Sequence, residues 1–255
     1  MYPEERQQAI ADLVMTRGRA SVTELAETYA VTTETVRRDL AVLDRAGVLR
    51  RVHGGAVPMR ALHVVEADVS ERDTTRTDHK DAIARAAAEF FPISGASVLF
   101  DAGTTTARVA ALLPGDRELT VVTNSVPIAA RVSTMSTVSL QLLGGRVRGL
   151  TQAAVGEQAL RVLDTLRVDI AFIGANGISI AHGLSTPDGE EAAVKRAMVR
   201  SAHYVVVVAD SSKVGREEFV SFAPIDRVDA LITDTELSPT DRAELSEHGV
   251  EVVLA

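Results

Sequence analysis

Arginines are concentrated in one short stretch near the start of the sequence. Between positions 37 and 51 only Asp39 and Asp44 oppose them, and the arginines of this stretch are Arg37, Arg38, Arg45, Arg50 and Arg51. Guanidinium groups bind phosphates and guanine edges, so such a cluster is typical of a DNA-binding surface. The net charge is −8, but the first sixty residues hold nine Lys and Arg against eight Asp and Glu. The acidic surplus therefore lies downstream of these arginines.

Three helices are predicted around this basic stretch. Apolar spacing predicts them over residues 3–17, 21–29 and 33–46, and Ser21 with Glu24 has the pattern of a capping box at the second helix. Only a short turn separates the second helix from the third. A helix-turn-helix that places its second helix in the DNA major groove needs such a turn.

The third helix would present its arginines to solvent. At 100° per residue, Arg37 and Arg38 lie opposite the apolar stripe. The stripe consists of Val36, Leu40 and Leu43. Residues 48–55 then predict two short strands around a basic turn, which is a wing. A small helical bundle with arginines on a solvated face is the alternative, but their restriction to one helix face and the wing favours DNA binding.

Several motifs of the first 57 residues occur together. They comprise Arg6, Ile10 and Val14, then Thr32, Thr35, Val36, Arg37, Arg38, Asp39 and Leu40, and finally Arg51-Val52-His53-Gly54-Gly55-Ala56. This combination resembles the N-terminal signature of the DeoR family of bacterial transcriptional regulators. The resemblance implies a winged helix-turn-helix domain over residues 1–57, with Thr33, Thr35, Arg37 and Arg38 meeting DNA from the third helix.

The wing adds three further candidates for DNA contact. They are Arg50, Arg51 and His53, although a histidine in a turn is often only structural. Asp39 lies nearer the apolar stripe than its neighbours. We therefore expect Asp39 to hold an arginine by charge-assisted hydrogen bonds rather than to contact DNA.

The rest of the chain predicts a linker followed by an α/β domain. Residues 58–78 are polar with weak periodicity and read as a linker, and the domain occupies residues 79–255. Strands are predicted at 97–101, 119–123, 138–143, 168–173, 204–209, 229–233 and 250–254, and helices near 104–113, 126–133, 156–165, 189–202 and 239–248. Continuous valine and isoleucine runs indicate strands covered on both faces, hence a mostly parallel sheet.

Small polar residues follow several of these strands. Because ligands of such sheets bind at the carboxyl ends of the strands, these residues predict a pocket. The loop Asp101–Ala107 offers a glycine, three hydroxyls and a helix start, which suit a phosphate, although an ordinary capped helix start is the alternative. Each of the other positions, taken alone, is more often a residue that a turn requires than a ligand contact. The candidate effector-binding residues are Lys80, Asp101, Gly103, Thr104, Thr105, Thr106, Asn124, Ser125, Gly145, Asn176, Gly177, Glu190 and Lys213.

This second part also resembles the effector domain of the DeoR family, from about Lys80 to Thr233. That domain is similar in fold to ribose-5-phosphate isomerase, so the resemblance implies a phosphorylated sugar or polyol as effector. It also supplies a rival, a sugar-phosphate isomerase-type enzyme. The isomerase pattern has acidic residues where this chain has Asn176, and a neutral amide cannot accept a proton near neutral pH. We therefore expect binding without catalysis, and Glu190 and Glu191 are the residues that could still act as bases.

Composition and missing motifs argue against metalloproteins, cofactor-dependent enzymes and membrane proteins. The chain has no cysteine and lacks Walker A and His-Glu-x-x-His motifs, so we expect no metal and no cofactor. Its longest apolar run is far shorter than a bilayer span, and its start lacks a signal-peptide pattern, so we expect no membrane association and a cytoplasmic location. The predicted partners are double-stranded operator DNA, the phosphorylated effector and further copies of the chain. A sensor acting through protein partners is disfavoured, since it would not need a recognition helix.

Overall fold

The computed structural model describes residues 3–17, 20–46, 48–52, 55–58 and 68–255. The chain divides into two compact units, Met1–Val65 and Glu66–Ala255. The tip of the predicted wing, with the candidate contact His53, lies outside the described residues. Among the residues that are described, no helix is long and apolar enough to cross a membrane.

The first unit contains the three predicted helices and the predicted pair of strands. The helices are α1 (Pro3–Arg17), α2 (Val22–Thr28) and α3 (Thr33–Arg45), and the strands are β1 (Ala20–Ser21), β2 (Leu49–Val52) and β3 (Gly55–Pro58). The sequence analysis missed β1, which pairs with β3 and makes the wing a three-stranded antiparallel sheet. A side chain at Gly55 would place its Cβ 2.3 Å from the Ala20 carbonyl oxygen, so this pairing requires glycine.

Local chemistry explains where these helices begin. The amide of Glu24 donates to the Ser21 hydroxyl at 3.1 Å, and the Ser21 amide donates to the Glu24 carboxylate at 2.8 Å, which confirms the capping box. Helix α3 begins after Thr32, whose hydroxyl accepts the amide of Thr35 at 3.2 Å. The apolar faces of the helices then pack together, with Ile10, Leu25 and Val36 fully buried.

An ion pair joins α1 to α3 beside this core. Arg6 Nε donates to Asp39 Oδ2 at 2.7 Å, and both residues are buried. Gln7 adds a hydrogen bond of 2.9 Å to the same carboxylate. The expectation that Asp39 holds an arginine is therefore confirmed. The hydrogen bond to the Asp39 carboxylate raises the pKa of Arg6 above its ordinary value, although burial opposes that rise.

The second unit is built on strands that alternate with helices. Its strands are β4 (Ser97–Phe100), β5 (Leu119–Thr123), β6 (Val138–Leu142), β7 (Arg146–Arg148), β8 (Ala153–Val155), β9 (Val168–Ile173), β10 (Gly177–Ser179), β11 (Gly183–Thr186), β12 (Ala202–Val208), β13 (Val220–Ala223), β14 (Ala230–Thr233) and β15 (Glu251–Leu254). Its helices are α4 (Val69–Thr74), α5 (Thr77–Ala87), α6 (Thr104–Ala110), α7 (Val126–Val132), α8 (Glu157–Asp164), α9 (Gly189–Ser201) and α10 (Pro239–Glu247).

The seven predicted strands form one sheet. Its order is β15-β14-β12-β9-β4-β5-β6, and all the pairings are parallel. Successive strand residues serve different cores: Leu99 and Val207 belong to one apolar cluster, and Phe100 and Val206 to the other. Burial on both faces accounts for the continuous apolar runs of the sequence. The chain order reverses between β4 and β9, which is where doubly wound sheets open a crevice for ligands.

Short strands outside this sheet were not predicted from the sequence. Strands β7 and β8 form a hairpin, and β10, β11 and β13 form a small antiparallel sheet. Each has only three or four residues, too few for an alternating pattern to emerge. The hairpin depends on Gly145, where φ is +137° and an added Cβ would lie 2.3 Å from the Val155 carbonyl oxygen.

The predicted linker over residues 58–78 is wrong in its second half. Residues from Asp68 onward belong to the second unit, where Asp68 caps α4 and the amide of Val69 donates to the Leu150 carbonyl at 2.8 Å. Arg76, between α4 and α5, has a left-handed backbone with φ of 52°. The polar composition that suggested a linker serves ion pairs instead.

Arg76 is the centre of the most connected of these ion pairs. Its guanidinium lies 3.3 Å from Asp210, 3.2 Å from Asp234 and 2.7 Å from Glu236. Burial alone would raise the pKa of Asp234, but hydrogen bonds from Ser211 and the charge of Arg76 outweigh burial and lower it. Hydrogen bonds from Arg76 and His79 lower the pKa of Glu236. One side chain thus ties the start of α5 to the loops after β12 and β14.

We predict that Asp39→Ala loosens the first unit while leaving the second intact. The variant leaves Arg6 buried without its carboxylate, a change that costs about 3 kcal/mol in buried pairs. Amide hydrogen exchange on the full chain should show faster exchange in α1 and α3 and no change in the parallel sheet. Arg38→Ala is the control, since that side chain is 81% exposed. Unchanged protection of α1 in Asp39→Ala would contradict the role of the pair.

We also predict that Arg76→Gln reduces the acid sensitivity of the second unit. The folded pKa values of Asp234 and Glu236 lie below their ordinary values, so their contribution to stability is complete above about pH 5 and is lost as the pH falls further. Without Arg76 the variant should be less stable at neutral pH, and its free energy of unfolding should fall less between about pH 6 and pH 3. Denaturant titrations at several pH values measure this slope. Equal slopes in the two proteins would contradict the prediction, and the exposed Arg85→Gln serves as control.

Candidate functional site

The predicted recognition helix presents its arginines to solvent. The side chains of Arg37 and Arg38 are 54% and 81% exposed. Thr33 is exposed as well, whereas Thr35 is half-buried and its hydroxyl lies 2.9 Å from that of Thr32. The outer face of α3 therefore presents two solvent-exposed arginines and the Thr33 hydroxyl. Thr35 also contributes to the N-terminal cap of the helix, because its amide donates to Thr32.

Glu34 shares this outer face with the two arginines. Its carboxylate lies 3.6 Å from Arg37 and 3.9 Å from Arg38, and it is itself 62% exposed. Exposed pairs of this length contribute at most about 1 kcal/mol, so they yield readily to a phosphate or a base. The backbones of Arg50 and Arg51 lie in β2, opposite Val57 and Ala56 of β3.

A buried ion pair occupies the carboxyl edge of the sheet where the chain order reverses. Lys195 of α9 donates to Asp101, which follows β4, and to the Gly174 carbonyl, which follows β9, at 3.0 Å. The Gly174 amide also donates to Asp101 at 3.0 Å. Burial raises the pKa of Asp101, and the Lys195 ammonium opposes that rise. The pair fixes the two loops that border the crevice.

Three cations form a second group at the same edge, here called the basic cluster: Arg72, Lys80 and Lys213. Lys80 is buried and donates to the Arg72 carbonyl oxygen. Burial lowers the pKa of Lys80, and the charges of Arg108 and Lys213 lower it further against the attraction of Asp210. Burial likewise lowers the pKa of Lys213, with Arg216 and Arg72 acting in the same direction.

The guanidinium of Arg72 is the unusual member of the basic cluster. Its Nε and one terminal nitrogen are buried without a hydrogen-bond partner among the described residues. The two carboxylates whose charges act on Lys80 are already engaged: Asp210 accepts from Ser212 and pairs with Arg76, and Asp73 pairs with Arg108. Several cations held out of water with unused donors are arranged as an anion would require.

The threonine loop after β4 has two hydroxyls to offer. Thr106 donates to the Gly103 carbonyl at 2.9 Å and so completes the first turn of α6. The side chains of Thr104 and Thr105 have no hydrogen-bond partner in the part of the chain that the structure describes. Arg108 donates to the Thr104 carbonyl and pairs with Asp73, which ties this loop to α4 beside Arg72.

Other predicted site residues are already engaged in supporting the edge. The Asn124 side chain accepts the Ala102 amide at 3.0 Å and donates to the Ala154 carbonyl at 3.2 Å. Ser125 caps α7, and Asn176 accepts from the Thr186 hydroxyl at 3.2 Å. An added Cβ at Gly177 would lie 2.7 Å from the Arg216 carbonyl oxygen. These residues shape the crevice, and the sequence alone did not separate such supports from ligand contacts.

The two candidate bases are held by arginines. Glu190 is exposed and pairs with Arg146 of β7. Glu191 is buried, accepts from Arg148 at 2.6 Å and also accepts from the Thr151 hydroxyl. A general base has to lie within hydrogen-bond reach of its substrate, and these two carboxylates already bind other side chains of the protein. The acid-base chemistry of an isomerase therefore has little support here.

Sequence reasoning missed Lys195 and Arg72 as site residues. The sequence does carry a signal for Lys195. It follows Ala192 and Val194 in helix α9, and all three of these side chains are buried, so a charged residue at this position needs a partner. Arg72 gave no such signal, because it lies in the stretch interpreted as a linker. His79, Asp234 and Glu236 also place ligand atoms within 4.8 Å of one another, but Arg76 already occupies both carboxylates.

Both parts of the chain match known family models. Residues 6–60 match the DeoR-like helix-turn-helix domain, and residues 75–235 match the DeoR C terminal sensor domain. The chain is 38% identical over 253 residues to the HTH-type transcriptional regulator GlpR of Haloferax volcanii, covering 99% of this chain and 98% of that protein. It is 32% identical over 255 residues to the glycerol-3-phosphate regulon repressor of Escherichia coli, covering 100% of both.

Solved structures give more distant matches. Ribose 5-phosphate isomerase A of Methanocaldococcus jannaschii aligns with a TM-score of 0.41 and 20% identity over 55% of each chain. A probable sor operon regulator from Shigella flexneri aligns with a TM-score of 0.45 and 12% identity over 80% of this chain and 97% of that chain. The curated relatives align over nearly the whole chain and the two family models match in the order helix-turn-helix, then sensor: the chain belongs to the DeoR family of transcriptional regulators.

Proposed function

We propose that this regulator represses an operon for the use of a phosphorylated sugar or polyol, and that the effector's phosphate binds at the basic cluster. The observation that carries the proposal is the buried guanidinium of Arg72, which has unused donors beside Lys80 and Lys213. A dianionic phosphate would accept those hydrogen bonds and offset the mutual repulsion of the cations. One curated relative is named for the glycerol-3-phosphate regulon and another for the aga operon, which supports this class of effector.

The remainder of the effector would lie toward the switch point of the sheet. The hydroxyls of Thr104 and Thr105 are available to the phosphate, and the fixed pair of Asp101 and Lys195 borders the crevice on the side of β9. A sugar or polyol carries hydroxyl groups that can both donate and accept hydrogen bonds. In the loop Gly174–Asn176, the backbone amide and carbonyl of the half-buried Ala175 form no hydrogen bond within the described residues and are suited to such groups.

On the DNA side, α3 would enter the major groove with Arg37 and Arg38 on its outer face, and the wing would contact the backbone through Arg50, Arg51 and His53. One such unit rarely supplies sufficient specific contact, so we infer that the regulator binds paired half-sites as a homo-oligomer in the cytoplasm, where the operator is. Light scattering should then give a mass of two or more times the 27.1 kDa of one chain.

Control by the effector requires differential binding. An effector that bound the DNA-competent and the DNA-incompetent states equally would shift nothing, whatever its affinity. The basic cluster therefore has to change between the two states. Its members come from α4, α5 and the loop after β12, and α4 is the part of the second unit nearest in sequence to the DNA-binding unit.

We predict that Arg37→Ala and Arg38→Ala weaken operator binding without changing effector affinity. A lost bidentate base contact costs about 1–3 kcal/mol and relaxes specificity at one position, whereas a lost phosphate contact weakens all sequences alike and reduces the salt dependence by about one unit. Fluorescence anisotropy at several salt concentrations, on operator and on random DNA, separates the two cases. Arg85→Ala, an exposed arginine on α5, is the control. Wild-type affinity in both variants would refute the assignment of α3.

We predict opposite effects of Lys213→Met on the empty and the liganded protein. Removing one of several adjacent cations relieves repulsion and desolvation, so the melting temperature without ligand should rise or stay equal. Effector affinity should fall by about 10- to 100-fold, the equivalent of one charge-assisted hydrogen bond. Arg72→Met should behave alike, and Thr105→Val should show the smaller loss of a neutral hydrogen bond.

The effector is first identified by thermal-shift screening of glycerol 3-phosphate and pentose and hexose phosphates, and its affinity is then measured by calorimetry. Arg85→Met is the matched control, because it removes an exposed cation outside the cluster. Unchanged affinity in both Lys213→Met and Arg72→Met would exclude the basic cluster as the phosphate site.

A further inference from the structure

A groove of about 860 Å³ lies in the second unit, away from the basic cluster. Arg167 reaches it from the residue just before β9, whereas the effector edge follows the end of β9 at Gly174. Arg196 and Arg200 reach it from the second half of α9, and Arg227 from the loop before β14. The groove therefore opens near the amino end of β9, at the other end of the strand from the effector edge.

The four arginines of this groove lack acidic partners. None of them lies within ion-pair distance of a carboxylate among the residues that the structure describes. Arg196 donates to the Ser221 carbonyl at 2.7 Å and Arg167 to the Leu166 carbonyl at 2.6 Å, so both retain unused donors. Elsewhere in this unit, arginines with little solvent exposure form ion pairs: Arg76 pairs with Asp210, and Arg148 pairs with Glu191.

The rest of the groove is neutral or apolar. No acidic residue lines it within the described ranges, and Val199 and Phe222 contribute buried apolar surface. His182 is held by a contact of 3.0 Å between its Nε2 and the Glu218 carbonyl oxygen. The unit around it carries an acidic surplus, so an uncompensated basic concavity is a local exception to the charge of its surroundings.

We propose that this groove binds a second ligand, a metabolite-sized anion with two or more phosphate or carboxylate groups. Four guanidinium groups can form paired hydrogen bonds with several anionic groups at once, more than a single phosphate can accept. The volume is within the range of small-molecule sites, and the apolar surface near Phe222 can cover the uncharged part of such a ligand. This site is distinct from the phosphate site of the proposed function and does not depend on it.

Concavity favours a small molecule over a macromolecule. A second copy of the chain or a DNA backbone would meet arginines on a flat or convex face just as well, whereas here they line an open groove in which a ligand of limited size can contact several of them. The two other occupants make different predictions, which the experiment below includes.

The test measures binding of pyrophosphate, citrate and ATP to the full chain by calorimetry. Polyanions can also enter the basic cluster, so the protein used for the test carries Arg72→Met and Lys213→Met. In this background at least one probe should bind. Adding Arg200→Ala and Arg227→Ala should weaken that binding at least tenfold, whereas the matched pair Arg85→Ala and Arg242→Ala, two exposed arginines outside the groove, should leave it unchanged.

Three results would overturn the proposal. The first is no binding of any of the three probes, and the second is an equal loss in the control pair. The third is a change of molecular mass or of operator affinity in the Arg200 and Arg227 variant without a change in probe binding, which would assign the groove to a second copy or to DNA. Effector affinity measured with the basic cluster intact should not respond to the groove substitutions, so failure of either site is seen separately.

Discussion

The energetic cost of burying an unpaired charge governs how this chain places its ionisable groups. Buried carboxylates are met by cations in both units: Asp39 by Arg6, Asp101 by Lys195, Glu191 by Arg148, and Asp210 and Asp234 by Arg76. Each pair joins elements that are distant in sequence, so satisfying the charge also fixes the fold around it. Against this background the desolvated cations Arg72, Lys80 and Lys213 stand out, because no carboxylate in the described residues pairs with them within ion-pair distance.

The same principle separates supporting residues from contact residues at the sheet edge. Asn124 has both ends of its amide engaged, and Glu191 is held by an arginine and a threonine. Such groups are already at their energetic optimum without a ligand and gain nothing when one arrives. Arg72, Thr104 and Thr105 have unused hydrogen-bonding capacity, so a ligand can gain binding energy from them. A regulator needs both kinds of residue: some that keep the site in shape with or without ligand, and a few whose hydrogen bonds form only when the ligand binds.

Much of the fold could be predicted from the sequence because its signals are strong and local. Helices α2 and α3 of the first unit have capping residues, all three helices have apolar faces, and runs such as Val205–Val208 predict strands buried on both faces. The short strands β10, β11 and β13 have no period to detect, and α4 looks like linker because its residues form ion pairs instead of a core. For the site, the sequence indicates which residues follow strands. It does not indicate which of their polar groups already have hydrogen-bond partners, because those partners come from distant parts of the chain. Asn124 was predicted as a ligand contact although both ends of its amide are engaged, and Arg72 was not predicted although two of its nitrogens have no partner.

The pairing of β4 with β9 also has a consequence for synthesis. It brings together positions such as Ser97 and Asp169, which are 72 residues apart, so the centre of the sheet cannot close until β9 has left the ribosome. The first unit, by contrast, is assembled from contacts within its first 58 residues. A growing chain can thus complete its helix-turn-helix many seconds before the central sheet of its sensor domain closes, at the usual pace of about 5–20 residues per second. During that interval, the nascent chain has a DNA-binding surface with no means of responding to the metabolite.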